Sequence, residues 1–313
     1  MDAAYKWTID EYVLRCEQAG EDLREILVEG QLDRDLILDA LHRWGVADVV
    51  VRDAQFISTD RGSTPGEGPS GVKAALVRLA EALHEAARKG RLLATLRIVV
   101  DRDYDAPPDA GPYLLLTDGH SMESYAFGPE ALDRFVRLIL GRAPAPSGRG
   151  GVARQNRLTV RGKEVYDRIL PAAIGVGAAR LVVLHLSPPA GLGESWDRYL
   201  ATTPSGKLTI SAVDLIEHYL TTAGRSSEVE RAVADVSTRE EEVEENPQQL
   251  VRGHDFVTLL LKLLRTPWGR KISKSLEVKS GTVLSRQLLV CVESSGLDDS
   301  DLFSSLRATF ISI

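Results

Sequence analysis

The stretch LRIVVDRDYD, residues 96–105, constrains this chain more than any other. An aliphatic and β-branched run predicts a buried strand, and Asp101, Asp103 and Asp105 follow it at alternate positions. Because successive side chains of an extended chain project to opposite faces, Asp101 and Asp103 are expected on one face at the carboxyl end of the strand. Carboxylates held that close repel one another, so the cluster indicates either a polar turn or a site for a divalent cation.

Strands and helices alternate along the first 140 residues. Short apolar runs predict strands at residues 24–28, 46–51, 96–100 and 113–116. Apolar residues spaced three or four apart predict helices at residues 8–19, 32–44, 72–89 and 129–140. This alternation favours an α/β fold with a parallel, Rossmann-like sheet flanked by helices, whose site lies at the carboxyl ends of the strands. Glu29, directly after the first strand, falls on the same edge as the aspartates.

The second half of the chain is predicted to be mainly helical. The Gly-, Pro- and Ser-rich segment GRAPAPSGRGG, residues 141–151, predicts a linker. We therefore expect a first domain at residues 1–142, a linker at 143–153 and a helical domain at 154–313. Helices are expected at residues 164–174, 211–220, 227–245 and 254–264. The apolar segment at residues 169–186 predicts a buried helix followed by a strand or helix end.

Composition places the chain among ordinary globular proteins, with 43% hydrophobic and 27% charged residues. The net charge of −7 argues against a basic coat but allows a local basic groove for nucleic acid. Cys16 and Cys291 lack disulfide-framework or zinc-ligand spacing, which fits a reducing cytoplasm. The amino-terminal residues lack a signal pattern, and no apolar run reaches the roughly 18–20 residues that span a bilayer. We expect a cytoplasmic protein without membrane segments.

Several of these motifs together resemble the toprim fold of topoisomerases, bacterial primases and nucleases. The resemblance lies in VEG at residues 28–30, the Gly-x-Lys helix start at residues 71–73, and VVDRDYD at residues 99–105. Two further motifs, ExxxD with Glu29 and Asp33 and SxE with Ser121 and Glu123, are similar to those of OLD-type nucleases. They also resemble the toprim effectors of PARIS anti-phage systems, which work with a separate ABC-type ATPase.

The resemblance implies a Mg²⁺-dependent endonuclease acting on DNA, tRNA or another RNA, with Mn²⁺ as a substitute cation. It implies catalytic roles for four residues: Glu29, Lys73, Asp101 and Asp103. It implies seven metal ligands: Glu29, Asp33, Asp101, Asp103, Asp105, Ser121 and Glu123. A homodimer and a partner ATPase are also implied. The chain departs from the late helical motif of these proteins, because Arg252 precedes Gly253 where a lysine is usual; arginine keeps the charge but not the geometry.

Simpler interpretations stand beside several of these assignments. Asp33 is equally suited to the first turn of a helix, where negative charge is favourable by about 0.3–1 kcal/mol. Lys73 is either a phosphate contact or an exposed lysine, and Asp105 is either a ligand or a turn cap. At the level of the whole chain, the second hypothesis is a non-catalytic toprim module that docks on an ABC-type ATPase. A topoisomerase or primase fragment is a third, less favoured hypothesis, because the tyrosine-bearing and zinc-bearing companion domains are not recognisable.

Overall fold

A computed structural model describes residues 6–57, 71–91, 94–104, 110–140, 161–186, 192–273, 280–292 and 297–311. The chain divides into two compact units. The first comprises residues 1–122 and 294–313, and the second comprises residues 123–293. The segment predicted as a linker, residues 143–153, and the loop at residues 58–70 lie outside the described residues. None of the helices formed by the described residues is both long and apolar enough to cross a membrane.

The first unit is built on a four-stranded parallel sheet, which confirms the predicted α/β class. Its strands are β1 (Arg24–Val28), β2 (Val50–Asp53), β3 (Thr95–Val100) and β4 (Leu114–Leu116), in the order β2-β1-β3-β4. Its helices are α1 (Ile9–Ala19), α2 (Gln31–Arg43), α3 (Val72–Arg88) and, from the carboxyl-terminal segment, α12 (Asp301–Ile311). Three 3₁₀ turns complete the unit: Gly20–Asp22, Ala54–Phe56 and Gly111–Tyr113.

Helices α1 and α3 cover one face of the sheet, and their sequences explain why. Thr8 caps α1 in a capping box with Glu11, and the buried leucines of α3 recur at helical spacing at Leu76, Leu79 and Leu83. These helices share one apolar core with the sheet residues of the same face, such as Leu27 and Ile98. The alternate residues of β1 project to the opposite face, where α2 contacts β1 and β2.

The second strand begins later than the sequence predicted. The pattern indicated residues 46–51, whereas β2 runs from Val50 to Asp53. The reason lies at the end of α2, where Gly45 adopts a left-handed conformation with φ of 75°. The Val46 N–H then donates to Leu41 O over 3.0 Å, so Val46 completes the helix end instead of entering the sheet.

Helix α12 packs within the first unit although it lies at the far end of the chain. The Asp118 carboxylate accepts the Asp301 N–H over 2.7 Å and the Leu302 N–H over 3.3 Å, which caps α12. Trp44 donates its indole N–H to Asp298 over 2.9 Å. No local sequence pattern indicates this docking, because the partners are more than 180 residues apart in the chain.

The second unit is mainly helical. It contains α4 (Pro129–Phe135), α5 (Gly162–Leu184), α6 (Ala212–Thr222), α7 (Val229–Glu245), α8 (Pro247–Leu250), α9 (Gly253–Arg265), α10 (Gly269–Ile272) and α11 (Gly281–Leu289). Two short strands, β5 (Ala201–Thr202) and β6 (Leu208–Thr209), pair as an antiparallel ribbon. The unit also has 3₁₀ segments at Glu194–Tyr199 and Ser226–Glu228, and the 3₁₀ turn Met122–Ala126 contains the boundary between the units.

The structure adds detail to two helical predictions in this unit. The helix predicted at residues 129–140 has these bounds, with α4 followed by a π-helical turn, Val136–Leu140. The apolar segment at residues 169–186 is a buried helix followed by a helix end, the second of the two predicted alternatives, because α5 continues through Pro171 to Leu184. Close packing keeps this helix buried: a Cβ at Gly175 would come within 2.7 Å of Ile210. Gly175 and Gly177 are therefore places of close helix packing.

Candidate functional site

The carboxyl ends of β1 and β3 bring Glu29 and Asp101 side by side. The strands are adjacent and parallel, with Val28 opposite Val99, so the residues that follow each strand emerge at the same sheet edge. The Asp101 N–H donates to Glu29 Oε1 over 2.8 Å. One predicted site residue thus orients another through the backbone.

The connection that follows β4 completes this arrangement. The Met122 N–H donates to Asp101 Oδ1 over 3.2 Å, so the Asp101 carboxylate is held from the neighbouring connection. Thr117, directly after β4, accepts the Arg102 N–H at its hydroxyl over 3.0 Å and the Arg102 guanidinium at its carbonyl over 3.0 Å. The chain after β3 is therefore held to the chain after β4 at Asp101 and at Arg102.

Asp103 has a backbone conformation that is unusual for a residue with a side chain. Its φ is 49°, and it is the one non-glycine residue with positive φ in the part of the chain that the structure describes. Asp and Asn reach this left-handed region more readily than other side-chain-bearing residues. The Asp103 N–H donates to His120 O over 3.1 Å, which holds this turn in place. The strict alternation assumed for an extended DRDYD segment therefore ends at Asp103.

Two basic side chains, those of Lys73 and His120, lie close to the Asp103 carboxylate. Lys73 Nζ lies 2.5 Å from Oδ2, and His120 Nδ1 lies 3.5 Å from Oδ1. His120 is buried, and Tyr104 packs edge-on against its ring with 4.5 Å between centroids. His120 is not among the predicted site residues, because a single histidine is a weak sequence signal. Its position after β4, whose carboxyl end meets the same sheet edge, is the signal that could have found it.

The environment of Glu29 shifts its proton affinity. Burial raises the pKa of Glu29 above its ordinary value, and the negative charge of Asp103 raises this pKa further. The hydrogen bond from the Asp101 N–H and the positive charge of Lys73 act in the opposite direction, but the net pKa stays raised. Glu29, Lys73 and Asp103 therefore form one electrostatically coupled group.

The remaining predicted ligands have diverse positions. Asp33 lies in the first turn of α2, where its Oδ2 accepts the Gly30 N–H over 2.9 Å, which is the helix-start role allowed by the sequence. Ser121 is buried in the first unit, and Glu123 is a buried residue of the second unit. Asp105 lies outside the described residues. The roles of these residues as metal ligands stay predictions.

The donor chemistry of this edge suits a hard divalent cation only in part. Glu29 and Asp101 supply carboxylate oxygens, which Mg²⁺ prefers. The Asp103 carboxylate instead has the Lys73 ammonium as its counter-charge. Among the residues that the structure describes, no group of three or more His, Cys, Asp or Glu side chains is arranged to hold a metal ion. The edge is therefore a carboxylate pair beside a Lys–Asp ion pair.

Comparison with known proteins adds no family assignment. No protein-family model matches the chain, and no curated protein matches it. Functional inference therefore depends on the residues and geometry described above.

Proposed function

We propose that this protein is a toprim-type, Mg²⁺-dependent endonuclease that cleaves nucleic acid phosphodiesters. The observation that carries the proposal is the meeting of Glu29 and Asp101 at the carboxyl ends of two adjacent parallel strands, with their hydrogen bond of 2.8 Å. In parallel α/β sheets this edge is the usual place for a site. Glu29 and Asp101 are two of the acidic residues on which the resemblance to toprim nucleases rests.

Each residue at this edge would have its own role in cleavage. Mg²⁺, when bound, lowers the pKa of a water molecule and offsets charge on the phosphoryl oxygens. Glu29 and Asp101 would hold the ion. Asp101 is itself oriented by the Met122 N–H, and Glu29 by the Asp101 N–H. Lys73, at the amino end of α3, would provide positive charge for a phosphate oxygen.

The wider biological role is proposed from the sequence resemblance alone. By that resemblance, the protein acts in the cytoplasm as a homodimeric anti-phage effector that a partner ABC-type ATPase controls. The net charge of −7 requires that nucleic acid bind at a local basic surface and not over the whole molecule. Arg265, Arg270 and Lys271, at the end of α9 and within α10, would contribute to such a surface.

A cleavage assay with the full chain tests the enzymatic proposal. Purified protein is incubated with supercoiled plasmid, single-stranded DNA and tRNA, each with Mg²⁺, Mn²⁺ or EDTA. We expect cation-dependent cleavage that Glu29→Ala and Asp101→Ala abolish, with both variants still folded by circular dichroism. Asp39→Asn is the matched control, since it removes one exposed carboxylate that pairs with Arg43 on α2. Full activity in Glu29→Ala or Asp101→Ala would contradict the proposal.

The same proteins separate the enzyme from a non-catalytic module. Calorimetric titration with Mn²⁺ should show binding that Glu29→Ala and Asp101→Ala remove. If the wild-type protein neither binds Mn²⁺ nor cleaves any substrate, even with the candidate ATPase present, the interaction module is the better hypothesis. If it cleaves only with the ATPase present, the nuclease proposal holds and the partner is required for activation.

A further inference from the structure

The Lys73–Asp103 ion pair joins two residues whose positions are each unfavourable alone. Lys73 is the second residue of α3, and the first turn of this helix contains no acidic residue. A cation at a helix amino terminus opposes the helix dipole. Asp103, 2.5 Å away, offsets this cost. The ion pair is therefore the local reason that a lysine is tolerated at this end of α3.

Asp103 is fixed so that it faces Lys73. The left-handed backbone conformation of Asp103 and the hydrogen bond from its N–H to His120 O fix the position of its backbone, and so the point from which its side chain extends. His120 also lies beside the other carboxylate oxygen, with 3.5 Å between Nδ1 and Oδ1. Both oxygens of the Asp103 carboxylate therefore have a basic neighbour, Lys73 at Oδ2 and His120 at Oδ1.

Lys73 and Asp103 are also coupled to Glu29, and with opposite signs. The charge of Lys73 lowers the pKa of Glu29, and the charge of Asp103 raises it. Lys73 is thus close enough to act on the carboxylate that would hold a divalent cation. The Lys73 and Asp103 side chains are 29% and 40% exposed. Their ion pair is therefore partly solvated, and its partners can be replaced by others at a small cost.

We propose that Lys73 is a built-in competitor of the divalent cation: its ammonium neutralises Asp103 in the cation-free protein, and a divalent cation bound by Glu29, Asp101 and Asp103 displaces it. This inference rests on the proposed function, because it takes this sheet edge as the cation site. Since the ion and Lys73 favour different arrangements of Asp103, each weakens the other. Lys73 therefore sets the cation concentration at which the site fills.

Calorimetric titration of the full chain with MnCl₂ tests the competition without relying on cleavage. Lys73→Met removes the charge but retains the length of the side chain. We expect it to bind Mn²⁺ about tenfold more tightly than the wild-type protein, since it loses both the ion pair and the repulsion between two cations. Lys73→Arg keeps the charge and should bind within about threefold of the wild-type protein.

Lys89→Met is the matched control. Lys89 follows the carboxyl end of the same helix and pairs with the exposed Glu85 over 3.0 Å. Its replacement changes the net charge of the protein by the same amount, so its Mn²⁺ affinity should stay within about twofold of wild type, because salt screens distant exposed charges. Thermal unfolding followed by circular dichroism verifies that each variant is folded, and Lys73→Met should lose no helix.

The outcomes distinguish this inference from the function on which it rests. Tighter Mn²⁺ binding in Lys73→Met, but not in Lys73→Arg or Lys89→Met, supports the competition. If the wild-type protein binds Mn²⁺ through Glu29 and Asp101 but Lys73→Met binds equally or more weakly, the competition is wrong and the proposed cation site stands. If neither the wild-type protein nor Lys73→Met binds Mn²⁺, both the competition and the metal-dependent function are wrong.

Discussion

The Asp101 N–H donates to Glu29 Oε1 over 2.8 Å, which fastens the end of β3 to the end of β1. This contact uses the backbone of one acidic residue to accommodate the carboxylate of another. It offsets part of the cost of placing Glu29 in a partly buried position beside Asp103. Glu29 still has a raised pKa, so its charged form remains unfavourable in the folded protein. Functional sites commonly contain such costly groups.

Glu29→Gln should stabilise the cation-free protein at neutral pH. With a raised pKa, folded Glu29 holds its proton to higher pH than the unfolded chain does, so its contribution to stability falls as pH rises above the unfolded value of about 4.3. Glutamine does not ionise but still accepts the Asp101 N–H. We expect the free energy of unfolding to increase by about 0.5–1 kcal/mol at pH 7, and the gain to shrink near pH 4.

Urea denaturation in EDTA between pH 4 and pH 7 measures this difference. Glu85→Gln serves as the control, since the hydrogen bond from Lys89 lowers the pKa of Glu85 and its charged form is favourable. Glu85→Gln should therefore bring no gain at neutral pH. A Glu29→Gln protein that is less stable than wild type at pH 7 would show that the Glu29 charge is favourable in the fold.

Substitutions at Asp103 should separate its backbone from its charge. Asp103→Ala, Asp103→Asn and Asp103→Gly all remove the ion pair with Lys73. Only alanine is strained at φ of 49°, because its Cβ crowds the following carbonyl without a side chain that can bond locally. We expect the free energy of unfolding of Asp103→Ala to be about 1 kcal/mol lower than that of Asp103→Asn or Asp103→Gly. Equal denaturation midpoints for Asp103→Ala and Asp103→Asn would show that this backbone conformation is not strained.

The sequence predicted the sheet and its acidic edge better than it predicted the details of the site. Strand β1 and the helices α1 and α3 have strong local signals, namely an apolar run, a capping box and a leucine stripe. The edge that gathers Glu29 and Asp101 follows from the parallel order of the strands. Periodicity therefore predicts which residues end on which edge.

Local patterns could not predict the contacts that depend on tertiary structure. Alternation placed Asp103 beside Asp101, but the left-handed turn directs Asp103 towards Lys73, 30 residues earlier. Glu25 was counted as part of an ordinary strand, whereas it is a fully buried carboxylate that contacts Arg15 and Arg52. Such pairs join residues that are distant in sequence, and nothing in the local pattern of either partner identifies the other.

Tyr12→Phe should lower the free energy of unfolding by less at high pH than at neutral pH. The Tyr12 hydroxyl donates to Glu25, and burial, followed by the charge and hydrogen bond of Glu25, raises the pKa of Tyr12 strongly. Folded Tyr12 therefore keeps its proton where the unfolded chain loses it, and wild-type stability falls as pH rises above about 10. Phenylalanine lacks this titration. We expect Tyr12→Phe to cost about 1–2 kcal/mol at pH 7 and clearly less at pH 11.

Urea midpoints of both proteins between pH 7 and pH 11 test this expectation. The two curves of stability against pH should converge above pH 10. Curves that stay parallel to pH 11 would show that Tyr12 loses its proton in the folded protein as readily as in the unfolded chain.

Asp255→Ala should be among the most destabilising single changes in the second unit. Asp255 accepts two hydrogen bonds from Arg180, over 2.5 and 2.9 Å, and one from the Trp196 indole over 3.0 Å. The Arg180 and Asp255 side chains are only 6% and 2% exposed. Alanine would leave the Arg180 guanidinium buried without its counter-charge, which costs about 3–5 kcal/mol.

The double variant Arg180→Met with Asp255→Leu distinguishes a missing partner from a lost attraction. Removing both charges avoids the buried unpaired guanidinium, so the double variant should be more stable than Asp255→Ala. Lys163→Ala removes a helix-surface ion pair with Asp167, with side chains 72% and 44% exposed, and should change stability by less than about 0.5 kcal/mol. Urea denaturation followed by circular dichroism ranks the three variants. A double variant no more stable than Asp255→Ala would mean that the ion pair itself contributes net stability, beyond the desolvation of its two charges.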